Sequence, residues 1–281
     1  MRLFEWLNKD IMPKKEAIRV IESKRARDYD IFTLLSNGIG SEAAASIWMA
    51  IELGFNIIVT GDAEGIEIFL QALPSLMQPY HKGLVIESGH NEDWLIANPN
   101  LVCTENLDSK TTADLIIVEH SNLANVTNAF LNVFNGSSFV IALPGKVIEG
   151  IVNTLTSKPY EVDGPLIQLL DIVIQIDKHG MVEDMAEFRW HSRAERGCPA
   201  DQPCGSLRLI RDSTVDYNAF KESKLIRRYA QKNLIGLQES LEEMKRRSAF
   251  LASLKKGDVE PWEITRQFLL YSCRATPQKL K

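Results

Sequence analysis

The segment NIIVTGDAEGIEIFL, residues 56–70, constrains the fold of this chain most strongly. Its apolar run from Asn56 to Thr60 predicts a short buried strand. A turn bounded by two glycines follows, and then a helix that begins at Ile66. A strand, a glycine-rich turn and a helix in this order are typical of a phosphate-binding loop, in which backbone N–H groups surround the phosphates. The segment therefore predicts an α/β fold organised around this strand.

The turn departs from the phosphate-binding motif G-x-x-x-x-G-K-[ST] in length and at both functional positions. It is one residue short between its glycines. Ile66 stands where the lysine would be, and Glu67 where the Mg²⁺-binding hydroxyl would be. Isoleucine cannot neutralise a phosphate, and a carboxylate at a helix N-terminus occupies the field that an anion would use. We predict a degenerate phosphate site whose candidate cofactor-binding residues are Gly61, Asp62, Ala63, Glu64, Gly65, Ile66 and Glu67.

Short apolar runs alternate with helical patterns along most of the chain, which predicts a mostly parallel sheet covered on both faces. Further strands are predicted at 83–87, 114–118 and 138–143, with a hairpin at 171–177 and 182–190 and a short strand at 206–210. Helices are predicted at 41–54, 125–134 and 147–156, and in the C-terminal part at 221–231, 237–255 and 261–273. In the 237–255 helix, Glu243 and Arg247 are predicted as an i,i+4 pair on the exposed side.

A chain of 281 residues is long enough for one full α/β domain and a smaller one. We divide it into a basic helical segment (1–30), an α/β core (31–190), an irregular loop with a short strand (191–213) and a helical domain (214–281). No apolar run approaches the roughly 18 residues of a membrane span, and we expect no signal peptide. Four cysteines do not form a disulfide framework, so we expect a cytoplasmic protein.

The net charge of −5 conceals a segregation of charge along the chain. Residues 28–188 contain 5 Lys, no Arg and 22 Asp and Glu, a net charge of −17. The two flanks together have a net charge of +12. Phosphoryl transfer depends on Lys, Arg and Mg²⁺ to neutralise developing charge. An acidic core without arginine is therefore a poor host for a triphosphate, although a solvated acidic surface explains part of the pattern.

Two carboxylates that end predicted strands are the candidate catalytic residues. Glu119 ends the strand at 114–118, and Glu87 ends the one before it. In nucleotidases, an acidic residue at such a position holds Mg²⁺ or polarises the attacking water. The alternative is that each is simply a polar residue at the end of a strand.

The sequence predicts no metal site. His90, Glu92, Asp93 and His120 form a loose set without the spacing of a known metal motif. Cys198 and Cys204 are separated by five residues, and with His191 they offer three ligands where a structural zinc site needs four. We interpret both sets as ordinary surface or loop residues.

The order of these features resembles the C-terminal motor domain of the type II/IV secretion-system ATPases, above all the archaeal branch that drives type IV pili and archaella. SNGIGSEAAASIWMAIELGFNIIVTG is similar to the helix and strand that lead into that family's phosphate-binding loop. LVIES with HNEDW resembles its acidic box and the segment after it, and ADLIIVEH its second nucleotide motif. The longest matches are VNTLTSKPYEVDGPLIQLLDIVIQI and LEEMKRRSAFLASLKKGDVEPWEITRQFLLY, which are not catalytic.

The resemblance implies a RecA-like core of the P-loop NTPase type, ATP and Mg²⁺ as ligands, hexameric relatives and a place at the cytoplasmic face of a membrane machine. The departures fall at the chemical positions. Besides the changed loop, Ser88 replaces the aspartate of the acidic box, and Pro144 stands where the family has a histidine. The second nucleotide motif is reduced to Glu119, His120 and Asn122, and the arginine-bearing helix before it is missing.

We therefore predict a catalytically inactive member of this family that needs no cofactor and acts as a structural or regulatory component of a pilus, archaellum or secretion assembly. Its expected partners are an active paralogous ATPase or a membrane platform protein, in a homo- or hetero-oligomer. One alternative is a weak nucleotide-binding enzyme with Glu119 as base and Lys82, Lys110 or Lys146 as the phosphate cation. A less favoured alternative is a nucleic-acid-binding module that uses the basic flanks, such as the run from Lys14 to Arg27.

Overall fold

The computed structural model describes residues 40–77, 81–86, 101–119, 123–145, 147–190 and 203–256, together with Gln267, Leu270 and Tyr271. The α-helices are α1 (Ser41–Glu52), α2 (Ala63–Ala72), α3 (Leu123–Asn132), α4 (Ile151–Thr156), α5 (Gly164–Ile167), α6 (Tyr217–Glu222), α7 (Lys224–Asn233) and α8 (Leu237–Lys256). The strands are β1 (Ile57–Gly61), β2 (Gly83–Ile86), β3 (Leu101–Thr104), β4 (Leu115–Val118), β5 (Ser138–Pro144), β6 (Ile172–Ile176), β7 (Val182–Trp190), β8 (Pro203–Arg211) and β9 (Thr214–Val215).

These strands form one sheet in the order β3-β2-β4-β5-β1-β6-β7-β8-β9. The pairs from β3 to β6 are parallel, and β6 through β9 pair antiparallel. The predicted α/β class with a mostly parallel sheet and the predicted hairpin of β6 and β7 are confirmed. The sequence did not predict β3 or β9. β3 lies at the edge of the described sheet and exposes Val102, and its apolar run, LVC, is too short to indicate a strand by itself.

Helices cover both faces of the sheet because the side chains of each strand alternate between them. On β1, Ile57 and Val59 belong to an apolar core shared with α1 and α2, whereas Ile58 belongs to a second core with α3, α4 and α5. The central strand is therefore buried on both sides, as a parallel strand requires.

The C-terminal helices α6, α7 and α8 share the first of these cores with α1. The helix predicted at 221–231 is two helices, because Ser223 has an extended backbone and its hydroxyl accepts a hydrogen bond from Ile226 N–H, which caps α7. Arg247 is fully buried in α8, so its predicted place on the exposed side of that helix is wrong. The predicted helix at 261–273 lies mostly outside the described residues, and the division into domains stays a prediction.

Candidate functional site

The strand β1 and the helix α2 are separated by a single residue, Asp62. The Asp62 carboxylate accepts hydrogen bonds from the N–H groups of Glu64 at 3.0 Å and Gly65 at 3.3 Å. The main-chain carbonyl oxygen of Asp62 accepts a hydrogen bond from the N–H group of Ile66. The predicted turn from Gly61 to Gly65 and the helix start at Ile66 are therefore wrong. The helix begins at Ala63 because an extended aspartate that satisfies the first N–H groups is a favourable N-cap.

The turn between β6 and β7 packs directly on this junction. Asp62 N–H donates to the carbonyl of Ile176 at 3.0 Å. A Cβ atom on Gly61 would collide with that same carbonyl, and one on Gly65 would collide with the carbonyl of Asp177. Both glycines thus allow close approach of the β6–β7 backbone, which explains their presence without any phosphate.

The N–H groups that a phosphate would need are already used within the chain. Those of Glu64, Gly65 and Ile66 donate to carboxylate or main-chain oxygens of Asp62, and that of Asp62 donates to the carbonyl of Ile176 on β6. The Asp62 carboxylate also occupies the positive end of the helix dipole, which is worth up to about 1 kcal/mol to an anion at an exposed site. An incoming phosphate would have to displace this side chain and compete with the other exposed carboxylates of α2.

The two residues at the diagnostic positions of the motif have different surroundings. Ile66 is buried in the apolar core that includes Phe69 and Leu70. Glu67 is exposed, and its carboxylate accepts a hydrogen bond from Gln71. The Ile66 side chain therefore belongs to the packing of α2, and a lysine ammonium at this place would lose its hydration without gaining a carboxylate partner.

The neighbouring strand β5 is bonded to the same end of β1. Gly145 N–H donates to the carbonyl of Gly61 at 2.8 Å, and the buried Thr60 hydroxyl donates to the carbonyl of Leu143 at 2.9 Å. Pro144, at the position of the family's histidine, is exposed at the end of β5. Ligands of open α/β sheets bind outside the carboxyl ends of the strands. Here main-chain hydrogen bonds join the two strand ends at that edge.

Glu119 follows β4 at this same edge of the sheet and is half-buried. Its N–H donates to the carbonyl of Ile86 at 3.0 Å. Since β5 lies between β4 and β1, two strand spacings put Glu119 about 10 Å from the line of β1. The sequence thus placed Glu119 on the correct edge, and its catalytic role stays a prediction. Glu87 lies outside the described residues.

The lysines considered as substitutes for the missing motif lysine lie elsewhere. Lys82 precedes β2 and Lys110 precedes β4, so both lie at the amino edge of the parallel strands, opposite to Gly61. Lys146 lies outside the described residues. The turn between β6 and β7 contains the exposed Lys178, which was not among the lysines predicted as a phosphate cation. Gly180, in this turn, has a left-handed backbone with a φ of +80°, so this glycine indicates the turn itself and not the contact with α2.

Within the ranges given above, no three His, Cys, Asp or Glu side chains come together as metal ligands would. His90, Glu92, Asp93, His120, His191 and Cys198 lie outside the described residues, and of Cys204 only the backbone, in β8, is described. The expected absence of a metal stays a prediction.

No protein-family model and no curated protein matches this chain. Among solved structures, the chain is similar to the VirB11 ATPase from the Brucella suis type IV secretion system, which was crystallised with sulphate. The two are 15% identical, with a TM-score of 0.42 over 78% of this chain. The match spans 60% of the length of the VirB11 chain.

Proposed function

We propose that this chain is a catalytically inactive relative of the type II/IV secretion ATPases that acts as a structural or regulatory component of a type IV pilus, archaellum or secretion assembly. The observation that carries the proposal is the Asp62 carboxylate, which is bound to the N–H groups of Glu64 and Gly65. A side chain of the protein itself thus bonds the N–H groups that a phosphate would need. The sequence resemblance supports the family, and the junction of β1 with α2 supports the inactivity.

The energetics at this junction favour the proposal. Moving Asp62 away would cost about 0.5–2 kcal/mol for the lost N-cap. The phosphates would then face Glu64 and Glu67 without the motif lysine, whose position is taken by the buried Ile66. Because phosphoryl transfer is mainly positioning and charge neutralisation, a site with surplus carboxylates lacks both contributions.

The proposed partners are protein components of the same assembly, either an active paralogous ATPase or a membrane platform protein. Among the described helices, none combines the length and hydropathy that a membrane-spanning segment requires. We propose that the chain reaches a membrane machine through such a partner, which a pull-down with the active paralogue would identify. Neither ATP nor Mg²⁺ belongs to the proposed role.

Calorimetric titration of the full chain with MgATP and MgADP tests the proposal. We expect no heat and no thermal shift at millimolar nucleotide. A ligand that binds only the native state would raise the stability of the protein, so a missing shift means that the nucleotide does not bind. Micromolar binding by the wild-type chain would contradict the proposal. In a hydrolysis assay, activity that disappears in Glu119→Gln would also contradict it, whereas activity that persists in that variant indicates a contaminant.

The second candidate function is a weak ATP-binding enzyme, which Lys178 favours because the turn that contains it contacts the start of α2. This function requires Lys178 to reach a phosphate near Gly65 and Glu119 to act as base. It predicts that Lys178→Met abolishes nucleotide binding, whereas Lys110→Met, a change at the opposite edge of the sheet, leaves it unchanged. Equal titrations for both variants would remove this candidate.

A nucleic-acid-binding role ranks below both. Several basic side chains of α7 already have partners, since Lys224 and Arg228 pair with Asp171 and the Lys232 ammonium donates to the carbonyl of Glu52. A nucleic-acid complex would weaken steeply with salt. We expect no such salt-dependent complex.

A further inference from the structure

A fully buried cation lies where three helices meet. The Arg247 side chain, on α8, is 0% exposed and pairs with Glu52 at the end of α1 at 2.7 Å and with Glu243 on α8 at 3.1 Å. The two carboxylates are also largely shielded from solvent, since the side chain of Glu52 is 5% exposed and that of Glu243 is 13% exposed. A charge in this position is tolerated only when it is paired and hydrogen-bonded, because its desolvation costs several kcal/mol.

Aromatic side chains complete the surroundings of the guanidinium. Arg247 also donates to the hydroxyl of Tyr229 on α7 at 3.0 Å. Its central carbon lies 4.3 Å from the centroid of the Trp48 ring on α1. Burial works to lower the pKa of Arg247, but the negative charge of Glu52 and the hydrogen bonds raise it above its ordinary value, so the cation is permanent. The charged group thus has partners on α1, α7 and α8 at once.

The C-terminal segment joins the same cluster through Tyr271. Its hydroxyl donates to the Glu243 carboxylate at 3.3 Å. Its ring meets the edge of Trp48, with centroids 5.4 Å apart, and stacks on Phe250 at 4.5 Å. Glu243 therefore links the buried cation to a residue beyond the end of α8.

The cluster is connected to the central strand by a short and well-bonded link. Glu52 ends α1, and Phe55 N–H in the link to β1 donates to the carbonyl of Ala50 at 3.0 Å. At the N-terminal end of α7, the Glu187 carboxylate of β7 accepts the N–H groups of Lys224 and Leu225. Near its C-terminal end, the Lys232 ammonium donates to the carbonyl of Glu52. One end of α7 is thus fixed to the sheet and the other to α1.

We infer that Arg247 is a lock that holds α7 and α8 on α1 and its adjoining strand β1, so that these elements open and unfold as one unit. The reason is that the partners of one buried charge lie on separate helices. Moving α1 away would separate Glu52 from its cation, and moving α7 away would leave a guanidinium N–H group without its acceptor, whereas opening all of the helices together restores the hydration of these groups. The lock does not depend on the proposed loss of nucleotide binding.

Hydrogen exchange of the full chain, measured by mass spectrometry, tests the lock. In Arg247→Met we expect the protection of amides in α1, α7 and α8 to fall together, by tenfold or more. Arg246→Met is the matched control, because Arg246 pairs with the same Glu243 but is 62% exposed. We expect that control to leave all three helices as protected as in the wild type.

If Arg247→Met lowers amide protection only in α8, the inference is overturned. It is also overturned if the amides of α7 and α8 in the wild-type chain exchange tenfold faster than those of α1. If Arg247→Met does not fold, Glu52→Gln and Tyr229→Phe give the answer, since each removes one partner and keeps the shape. We expect each to raise exchange in α8 as well as in its own helix. An effect of both changes only on their own helices would equally overturn the lock.

Discussion

At the scale of single residues, Asp62 shapes the junction between β1 and α2. Its carboxylate serves as the N-cap of α2, and its main-chain N–H holds the turn between β6 and β7. An aspartate directly before a helical apolar pattern is a recognised N-cap signal. The prediction from the sequence instead placed Asp62 in a turn bounded by two glycines, because Gly65 suggested that the turn continued to that residue. Gly65 is in fact needed where the next hairpin touches the helix.

Replacing Asp62 measures the strength of this cap. We expect Asp62→Ala to lower the free energy of unfolding by about 1 kcal/mol and Asp62→Asn to change it little, because asparagine caps a helix as well as aspartate does. Urea unfolding of both variants gives the values. Glu67→Ala, a carboxylate change one turn further along α2, is the control and is expected to remain near the wild type. A loss of equal size in the alanine and asparagine variants would contradict the capping role.

Tyr229 makes stability depend on pH in the alkaline range. Burial chiefly raises the pKa of its hydroxyl to about 12, against 10.0 in the unfolded chain. The stabilisation is complete below pH 10 and is lost as pH rises toward the folded pKa, because the unfolded chain loses this proton first. A shift of this size corresponds to roughly 2–3 kcal/mol. Urea unfolding between pH 9 and pH 11.5 should show this fall, and Tyr229→Phe should make it shallower. Burial also raises the pKa of Tyr271 to about 12, and this residue accounts for the part of the fall that remains. An unchanged slope in Tyr229→Phe would contradict the assignment.

At the scale of elements, four asparagines on one face of α3 and the turn after it hold the connection between β3 and β4. They are Asn125, Asn128, Asn132 and Asn135, spaced three and four residues apart. Their side-chain amides donate to the carbonyls of residues 105, 107, 108 and 109. The side-chain oxygens of Asn125 and Asn132 also accept hydrogen bonds from the N–H groups of residues 107 and 111, respectively. A segment with little apolar content is thus fixed by hydrogen bonds.

Asn125 and Asn132 are the buried members of this set, and Asn132 bonds both Asp108 and Thr111, so its loss should be costly. In Asn132→Ala the carbonyl of Asp108 and the N–H of Thr111 would lose their partner, and each such part-buried hydrogen bond contributes about 0.5–1.5 kcal/mol. We expect a total loss of about 2 kcal/mol in the free energy of unfolding. Asn135→Ala, at the exposed end of the same row, should cost less than about 1 kcal/mol. Similar losses in the two variants would show that burial does not set the difference.

At the scale of the whole molecule, the acidic region from 28 to 188 should repel itself. Its net charge of −17 lies on a part of the chain without arginine. Raising KCl from 0.01 M to 1 M shortens the screening length from about 30 Å to about 3 Å. We therefore expect the free energy of unfolding to rise with salt, on the order of 1 kcal/mol. Urea midpoints measured across this range test the expectation, which a fall in stability would contradict.

The sequence predicted those parts of the fold that depend on local pattern. The strands β1, β4, β5 and β6 are continuous apolar runs because both of their faces are covered. The edge strand β3 has only a short apolar run, LVC, and exposes Val102, so the pattern did not indicate a strand there. The spacing of Glu243 and Arg247 predicted their pairing but not which side of α8 they occupy. That depends on Glu52, which lies 195 positions away. Likewise, no local pattern shows that the hairpin of β6 and β7 covers the start of α2.

The distance of 195 positions between Glu52 and Arg247 has a consequence for how the protein is made. While the ribosome synthesises the chain, α1 and β1 are complete long before the guanidinium that neutralises Glu52 exists. The nascent chain must keep Trp48 and a carboxylate uncovered until α8 emerges, a period in which exposed apolar surface favours aggregation. A product that stops short of residue 247 would remain in that incomplete state. The native fold is thus available only to a chain that includes residue 247.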